Sequence, residues 1–176
     1  MAENDDLMQI IAGCKAGKSD SFAALVDKFS SRCYGYFYRM TGNRDLSDDL
    51  LSELFVKLVV KIGSYSGGSF ESWLFTVAAN VFRDYLRTKH RQTKLLEIKK
   101  KSMAMEVIEP KQSNEEMLDM LQKQLNNLDA DTKEVIMLRF YSQMQFREIA
   151  QIRSEPIGTT LAKLHRGVKK LRELME

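Results

Sequence analysis

Apolar side chains recur at steps of three and four residues from Phe22 to Met40, and this spacing constrains the fold more than any other feature of the chain. Because an α-helix has 3.6 residues per turn, the stripe predicts one long helix that buries a single face. The helix should begin near Ser19 or Asp20, either of which can cap it. It should end at Gly42, a residue suited to a left-handed C-cap.

The same period continues along the chain and predicts further helices. One should run from Asn43 or Asp45 to Gly63, and another should begin where Ser69 caps it. The chain has only two prolines and nine glycines in 176 residues, which leaves little material for the turns of a β-sheet. We therefore predict an all-α protein.

A change in composition divides the chain into two parts. Over residues 94–112 the apolar period weakens, and KKKSMAMEVIEPKQSN has the composition of a flexible linker. We predict two small helical domains, over residues 1–93 and 113–176, joined by that linker.

The second domain carries the pattern of a helix-turn-helix. A short amphipathic helix, the turn RSEP and a basic helix follow one another, which is the order of that motif. Asp131 and Glu134 have the spacing of a capping box for an earlier helix. Four apolar residues of the basic helix should pack on Ile149 and Ile152: Leu161, Leu164, Val168 and Leu171.

The chemistry-bearing residues argue against an enzyme. Cys14 and Cys33 are isolated, and His90 and His165 lie in basic runs without a nucleophile or carboxylate arranged around them. We expect no metal and no cofactor. No apolar run approaches the roughly 20 residues of a transmembrane helix, and the N-terminus MAENDD lacks the form of a signal peptide. A cytoplasmic protein without membrane insertion is expected.

Charge separates along the chain although its sum is only +3. Acidic residues cluster from Asp45 to Glu53, whereas basic residues cluster from Arg83 to Lys94 and again from Lys163 to Arg172. Two surfaces with partners of opposite charge are indicated. An ordinary solvated face remains the alternative for each cluster.

Three segments, taken in order, resemble the extracytoplasmic-function group of bacterial sigma-70 factors. NRDLSDDLLSELFVKL is similar to region 2.2, SFESWLFTVAANVFRDYLRTKHR resembles regions 2.3 and 2.4, and LNNLDADTKEVIMLRFYSQMQFREIA resembles region 4.1 and the start of 4.2. The resemblance implies a sigma factor that binds core RNA polymerase, selects promoters and assists DNA melting. It also implies an anti-sigma factor as partner, and we expect a monomer when the protein is free.

The resemblance assigns roles to residues of three helices and to Tyr65 of GSYSGGS (residues 63–69), whose composition predicts a flexible loop. Those expected to bind polymerase are Asp48, Asp49, Ser52 and Glu53. Those expected to bind the minus-ten element are Tyr65, Asn80, Arg83, Asp84, Arg87, Lys89 and Arg91. Those expected to bind the minus-thirty-five element are Thr159, Thr160, Lys163, His165, Arg166 and Lys169.

Some positions carry a second interpretation or depart from the family pattern. The acidic cluster has a second interpretation as an ordinary helix N-terminus, and Asp84 has one as a residue that fixes Arg87 or a neighbouring helix end. Trp73 could stack on a base, but its place in the apolar stripe favours the core. GTTLAK (residues 158–163) stands where the family usually has G-T-V-K-S-R, and Arg153–Glu155 replace a usual L-G-I-like turn. A polymerase-independent helix-turn-helix regulator is the alternative function, and a nucleic-acid enzyme is a third, disfavoured one.

Overall fold

The computed structural model describes residues 2–99 and 116–175, with side chains over residues 6–93 and 120–174. Within these ranges the chain is helical and forms no strand, which confirms the all-α prediction. The first domain contains α1 (Ala2–Lys15), α2 (Ser19–Thr41), α3 (Arg44–Lys61), a 3₁₀ turn (Ile62–Ser64) and α4 (Phe70–Lys99). The second contains α5 (Glu116–Asn126), α6 (Ala130–Ile136), a π-helical segment (Met137–Tyr141), α7 (Phe146–Arg153) and α8 (Ile157–Met175).

The predicted helix ends are partly correct. Gly42 is left-handed with φ 67°, and its N–H donates to the Tyr38 carbonyl, as a C-cap should. Asn43 caps α3 by accepting from the Leu46 N–H at 2.9 Å, and Ser69 accepts from the Ser72 N–H at 3.1 Å. At α2, by contrast, Lys18 precedes the helix without a side-chain cap.

Two predictions in the second domain are wrong. The N-cap of α6 is Asp129, which accepts from the Thr132 N–H, so Asp131 and Glu134 form no capping box there. The capping box is made instead by Gln145 and Glu148 at the start of α7. Leu161 is exposed rather than packed on α7, because it lies on the outer side of α8.

The core of the first domain is aromatic and aliphatic. Phe37 and Phe75 flank the buried Tyr36 at ring-centroid distances of 5.5 and 5.6 Å, and Leu54 and Leu58 bring the inner side of α3 against them. These contacts leave the acidic side of α3 facing outward. None of the helices that the structure describes is long and apolar enough to span a bilayer.

The helices of the second domain approach one another closely at Gly167. A Cβ at this position would lie 2.4 Å from Cγ2 of Thr132, so glycine allows α8 to lie directly on α6. Leu164 and Leu171 complete the packing of α8 on the core. The exposed residues of α8 are therefore those on the side opposite α6.

The two domains pack on one another. Their buried side chains form one continuous core, in which α2 and α4 contact α5, α6, α7 and the π-helical segment. α4 extends to Lys99, into the range predicted for the linker, whereas residues 100–115 of that prediction lie outside the described residues. We refer to this packing as the closed arrangement.

Candidate functional surfaces

The predicted acidic residues lie together on α3. Asp48, Asp49, Ser52 and Glu53 are all exposed. Their helix starts in a rigid turn, because Thr41 and Ser47 hydroxyls lie 2.9 Å apart and Ser47 also donates to the Asn43 carbonyl at 2.5 Å. This turn fixes the orientation of α3 and therefore the direction in which its carboxylates point into solvent.

Three valines extend this acidic surface along α3 and were missed in the sequence. Val56 is 67 % exposed, Val60 is 81 % exposed, and Val59 lies beside them. Positions 49, 53, 56 and 60 are separated by three or four residues, so the valines continue the line of the acidic side chains. An exposed apolar stripe of this kind is typical of a protein-binding surface. We call the acidic residues and valines together the α3 face. The signal was present in VKLVVK, whose valines fall outside the leucine stripe.

Lys57 joins the α3 face to α4. Its ammonium lies 2.8 Å from a Glu53 oxygen and 3.2 Å from an Asp84 oxygen, and the hydrogen bond to Glu53 is the main reason why the Lys57 pKa is raised. Asp84 also lies 3.4 Å from the Arg87 guanidinium. These contacts favour the interpretation in which Asp84 positions neighbouring cations.

The basic side of α4 divides into exposed and covered parts. Arg87, Lys89 and Arg91 are exposed, and Asn80 is half-buried. Arg83 instead turns toward the second domain, and its side chain is only 20 % exposed. Asn80, Arg83 and Arg87 line one wall of a cleft of about 490 Å³, whose opposite wall comes from the second domain. We call these α4 residues, with Lys89 and Arg91, the α4 face.

Arg83 is held by groups of the second domain. Its Nε lies 3.0 Å from a Glu134 carboxylate oxygen, and its Nη1 donates to the Ile152 carbonyl at 2.6 Å. Arg153 binds the other side of Glu134 and also lies 3.1 Å from oxygens of Asp131 and Glu155. Burial raises the pKa of Glu134, although both arginines act in the opposite direction.

Tyr65 lies in the core instead of projecting from the glycine-rich loop. Its ring packs 5.3 Å from Phe70 and 5.6 Å from Trp73, and its hydroxyl donates to the Gly68 carbonyl at 2.7 Å. Lys15 donates to its carbonyl from α1. Stacking of Tyr65 on a base therefore requires the loop to rearrange. Trp73 packs against the core, as its place in the apolar stripe predicted.

The predicted residues of α8 fall into two groups. Thr159, His165, Arg166 and Lys169 are exposed, and Lys169 lies 3.8 Å from Glu173 on its own helix. Thr160, by contrast, is fully buried. Lys163 is ion-paired with Glu155 at 2.6 Å and with Asp131 at 3.4 Å. Only the first group presents its side chains directly to solvent.

Glu155 organises the turn before α8 and was missed as a structural residue. It accepts hydrogen bonds from Arg153, from the Thr160 hydroxyl at 2.9 Å and from the Lys163 ammonium at 2.6 Å. Burial alone would raise its pKa, but the bonds from Lys163 and Thr160 and the Arg153 charge outweigh burial and lower it. An acid directly before a helix start was the available signal. Glu155 therefore explains part of the unusual turn.

Comparison with known protein families gives two matches in chain order. The Sigma-70 region 2 family model matches residues 25–92, and the Sigma-70, region 4 model matches residues 118–171. The RNA polymerase sigma factor CarQ of Myxococcus xanthus is 31 % identical, over 90 % of this chain and 91 % of CarQ. The ECF RNA polymerase sigma factor SigW of Bacillus subtilis is 29 % identical, over 90 % of this chain and 91 % of SigW.

Two solved structures share the fold. The sigma factor RpoE of Bartonella quintana, in complex with the anti-sigma factor NepR, gives a TM-score of 0.65 at 23 % identity and covers 99 % of this chain and 96 % of its own. CnrH, in complex with the cytosolic domain of CnrY, gives a TM-score of 0.64 at 19 % identity, with 94 % of each chain covered.

Proposed function

The chain belongs to the extracytoplasmic-function group of the sigma-70 family, and we propose that it directs core RNA polymerase to specific promoters through three of its surfaces. The observation that carries the proposal is the match to both sigma regions in the family's order. Sigma factors are initiation factors, so the proposal assigns no reaction to the residues of this chain. The protein acts where the polymerase is, in the cytoplasm.

The α3 face is the proposed contact with polymerase. Its acidic end supplies charge that attracts a basic partner and sets its orientation, whereas its valines supply apolar area that is lost from water on binding. Asp48, Asp49 and Glu53 would repel DNA phosphates, so a protein that bound only DNA would gain nothing from them. This argument favours a sigma factor over a polymerase-independent regulator.

The α4 face is the proposed contact with the minus-ten element. Melting requires a base to leave the stack, so the protein must offer polar groups to the base edge and cations to the single-strand backbone. Asn80 can supply the first, while Arg83, Arg87, Lys89 and Arg91 can supply the second. Asp84 serves here by positioning Lys57 and Arg87.

The exposed side of α8 is the proposed contact with the minus-thirty-five element. Thr159 lies near the start of the helix, where side chains of a helix-turn-helix reach base edges. His165, Arg166 and Lys169 follow on the exposed side and suit phosphate contacts, which position the helix. Thr160 supports the turn through Glu155, and Lys163 must exchange its carboxylate partners before it can bind a phosphate.

An anti-sigma factor is the proposed regulatory partner. Two solved structures of this fold are complexes: RpoE of Bartonella quintana is bound to the anti-sigma factor NepR, and CnrH is bound to the cytosolic domain of CnrY. The α3 and α4 faces are the surfaces that such a partner would have to block in order to prevent initiation.

A pull-down with purified core polymerase tests the proposed function. Asp49→Lys should reduce retention of the chain on polymerase about tenfold or more, because it reverses a charge at the acidic end of the α3 face. Asp27→Lys is the matched control, since Asp27 is an exposed acid on α2 outside that face. Equal retention of both variants would exclude the α3 assignment, and absence of wild-type binding would exclude the sigma function itself.

A further inference from the structure

The Glu155 carboxylate divides its two oxygens between different donors. Oε1 accepts hydrogen bonds from the Thr160 hydroxyl at 2.9 Å and from the Arg153 Nε at 3.1 Å. Oε2 accepts from the Lys163 ammonium at 2.6 Å. The Glu155 side chain is only 13 % exposed and that of Lys163 only 17 %, so both charges are largely removed from water. Glu155 therefore fixes the Lys163 ammonium against the turn that precedes α8.

Lys163 lies at the edge of the side of α8 that is proposed to meet DNA. Positions 159, 163 and 166 are separated by three or four residues, so their side chains lie on the same side of the helix. Thr159 and Arg166 are exposed. The Lys163 ammonium instead turns back to Glu155 and also lies 3.4 Å from an Asp131 oxygen. One cation beside the proposed DNA contact is thus held by two carboxylates.

The two carboxylates determine which group of DNA Lys163 can bind. A phosphate that approached this ammonium would also approach Glu155 and Asp131, and they would repel it. A base edge in the major groove carries no net charge, and acceptors such as O6 and N7 of guanine attract a lysine N–H. An ammonium has three N–H donors, and the two carboxylates accept from two of them. The third donor is left for a base acceptor.

The residue that provides this restraint is one at which the chain departs from the usual family pattern. Glu155 stands at the last position of a turn that is usually L-G-I-like, where the pattern has an apolar side chain. An apolar side chain cannot accept a hydrogen bond from Lys163. The restraint on Lys163 is therefore a property of this chain and does not follow from the helix-turn-helix itself.

We propose that Glu155 is a positioning residue for promoter specificity, which holds Lys163 away from phosphates and directs it to one base edge of the minus-thirty-five element. This inference rests on the proposed role of α8. Arg166 is exposed on the same side of the helix, and without a carboxylate restraint of this kind it serves a phosphate. Neighbouring cations of one helix then have different tasks, since one specifies the sequence and the other positions the helix.

Glu155→Gln provides the first test, because it releases Lys163 but keeps the Thr160 contact. Glutamine has one acceptor oxygen, which can serve Thr160 and Arg153, whereas its NH₂ group cannot accept from Lys163. The remaining contact with Asp131 is long and exposed to solvent, and therefore weak. The freed ammonium should bind a phosphate. For a fluorescently labelled duplex of mixed sequence, affinity should rise roughly fivefold, and the slope of log affinity against log salt should become steeper by about one.

Three further variants identify the source of that change. Glu148→Gln is the matched control, because it removes the same charge from the same domain and glutamine retains the capping box; its salt slope should equal that of wild type. Lys163→Met alone should also leave the slope unchanged. Lys163→Met combined with Glu155→Gln should return the slope to the wild-type value. A steeper slope that persists without Lys163 would overturn the proposal.

Discrimination among promoters provides the second test. Core polymerase and the chain transcribe a pool of templates in which the minus-thirty-five segment upstream of one mapped start site is randomised, and the transcripts are counted by sequencing. Wild type should prefer one base pair at the position that Lys163 contacts. Lys163→Met and Glu155→Gln should each lose roughly tenfold of that preference at this position alone. Arg166→Ala should lower transcription from all templates alike, because phosphate contacts carry no sequence information.

The outcomes separate this inference from the proposed function. If wild type transcribes the pool and Glu155→Gln keeps the same preference at every position, or loses transcription equally from all templates, the positioning role of Glu155 is excluded. A wild-type chain that yields no transcripts would exclude the sigma function itself. The salt slopes, which are measured without polymerase, would then show whether Glu155 withholds Lys163 from phosphates: an unchanged slope in Glu155→Gln would contradict it.

Discussion

The α3 face and the α4 face belong to the same domain, but the second domain covers only one of them. On α3 the acidic residues are exposed, and Val60 is 81 % exposed. On α4 the Arg83 side chain is 20 % exposed and bound to Glu134 and the Ile152 carbonyl. With the proposed assignments, polymerase would meet a surface that the second domain leaves exposed, and DNA would meet a surface that the second domain partly covers.

The two faces also differ in the contacts that hold their side chains in place. The α3 face is supported by its own helix and by the capping turn at Thr41–Ser47. The covered part of the α4 face depends on groups from another domain. Substitutions on α3 should therefore affect binding alone, whereas substitutions at Arg83 should affect stability as well.

The largest expected effect distinguishes the two arginines of the α4 face. Arg83→Ala leaves Glu134 buried with one partner fewer and should lower the free energy of unfolding by about 3 kcal/mol. Arg87→Ala removes a side chain that is 67 % exposed and should change it by less than about 0.5 kcal/mol. Urea denaturation measures both. Equal effects would mean that Arg83 does not hold the domains together.

The next largest effect concerns the α3 face. Val60→Glu places a charge on the most exposed valine of the apolar stripe and should weaken polymerase binding about tenfold, or about 1.4 kcal/mol. Its melting temperature should stay close to that of wild type, because the side chain is already in water. Met8→Glu, an exposed apolar residue of α1, is the control for nonspecific effects. A loss of binding shared by both variants would argue against the stripe as the contact.

A smaller, pH-dependent effect concerns Lys133, which lies in the contact between the two domains. Burial lowers the pKa of Lys133 to about 8, below its unfolded value, so the folded state loses this proton first as pH rises. The penalty for burying the charge therefore applies below pH 8 and decreases above it. Lys133→Met should have a higher free energy of unfolding than wild type at pH 7. The difference between the two proteins should shrink by about 1 kcal/mol at pH 9.

Two features of the Lys133 experiment make its result specific. The buried cysteines also have raised pKa values, but their contributions cancel because both proteins contain them. Lys123→Met, at an exposed position of α5, is the matched control. The difference in free energy of unfolding between wild type and Lys133→Met could instead stay constant from pH 7 to pH 9. That result would show that Lys133 keeps its proton in the folded protein.

The smallest effect concerns α8. Arg166→Ala should reduce the slope of log affinity against log salt for promoter DNA by about one, because one phosphate contact releases about one counterion. Lys28→Ala removes the same charge from an exposed position of α2 and should leave the slope unchanged. An unchanged slope in Arg166→Ala would place this residue outside the DNA contact.

Sequence reasoning predicted the helices well because their signals are local. The stripe from Phe22 to Met40, the glycine at 42 and the cap at Asn43 all act within a few residues of the structure that they determine. The acidic side of α3 was predicted for the same reason, since the helical period alone places its residues together.

The remaining features depend on contacts between distant residues. The pair Arg83–Glu134 joins residues 51 apart, and the helical period does not reveal which domain covers which face. Thr160 and Glu134 are polar and would be expected at the surface, but hydrogen bonds and ion pairs allow their burial. Tyr65 was expected on a flexible loop, and only the packing of Phe70 and Trp73 explains why it lies inside.

Run-off transcription with purified core polymerase on genomic fragments of the host bacterium tests the central claim most directly. Addition of the wild-type chain should produce transcripts with discrete start sites that are absent with core polymerase alone. Asp49→Lys should abolish these transcripts, while Asp27→Lys should retain them. Identical transcripts with and without the wild-type chain would contradict its assignment as a promoter-selecting sigma factor.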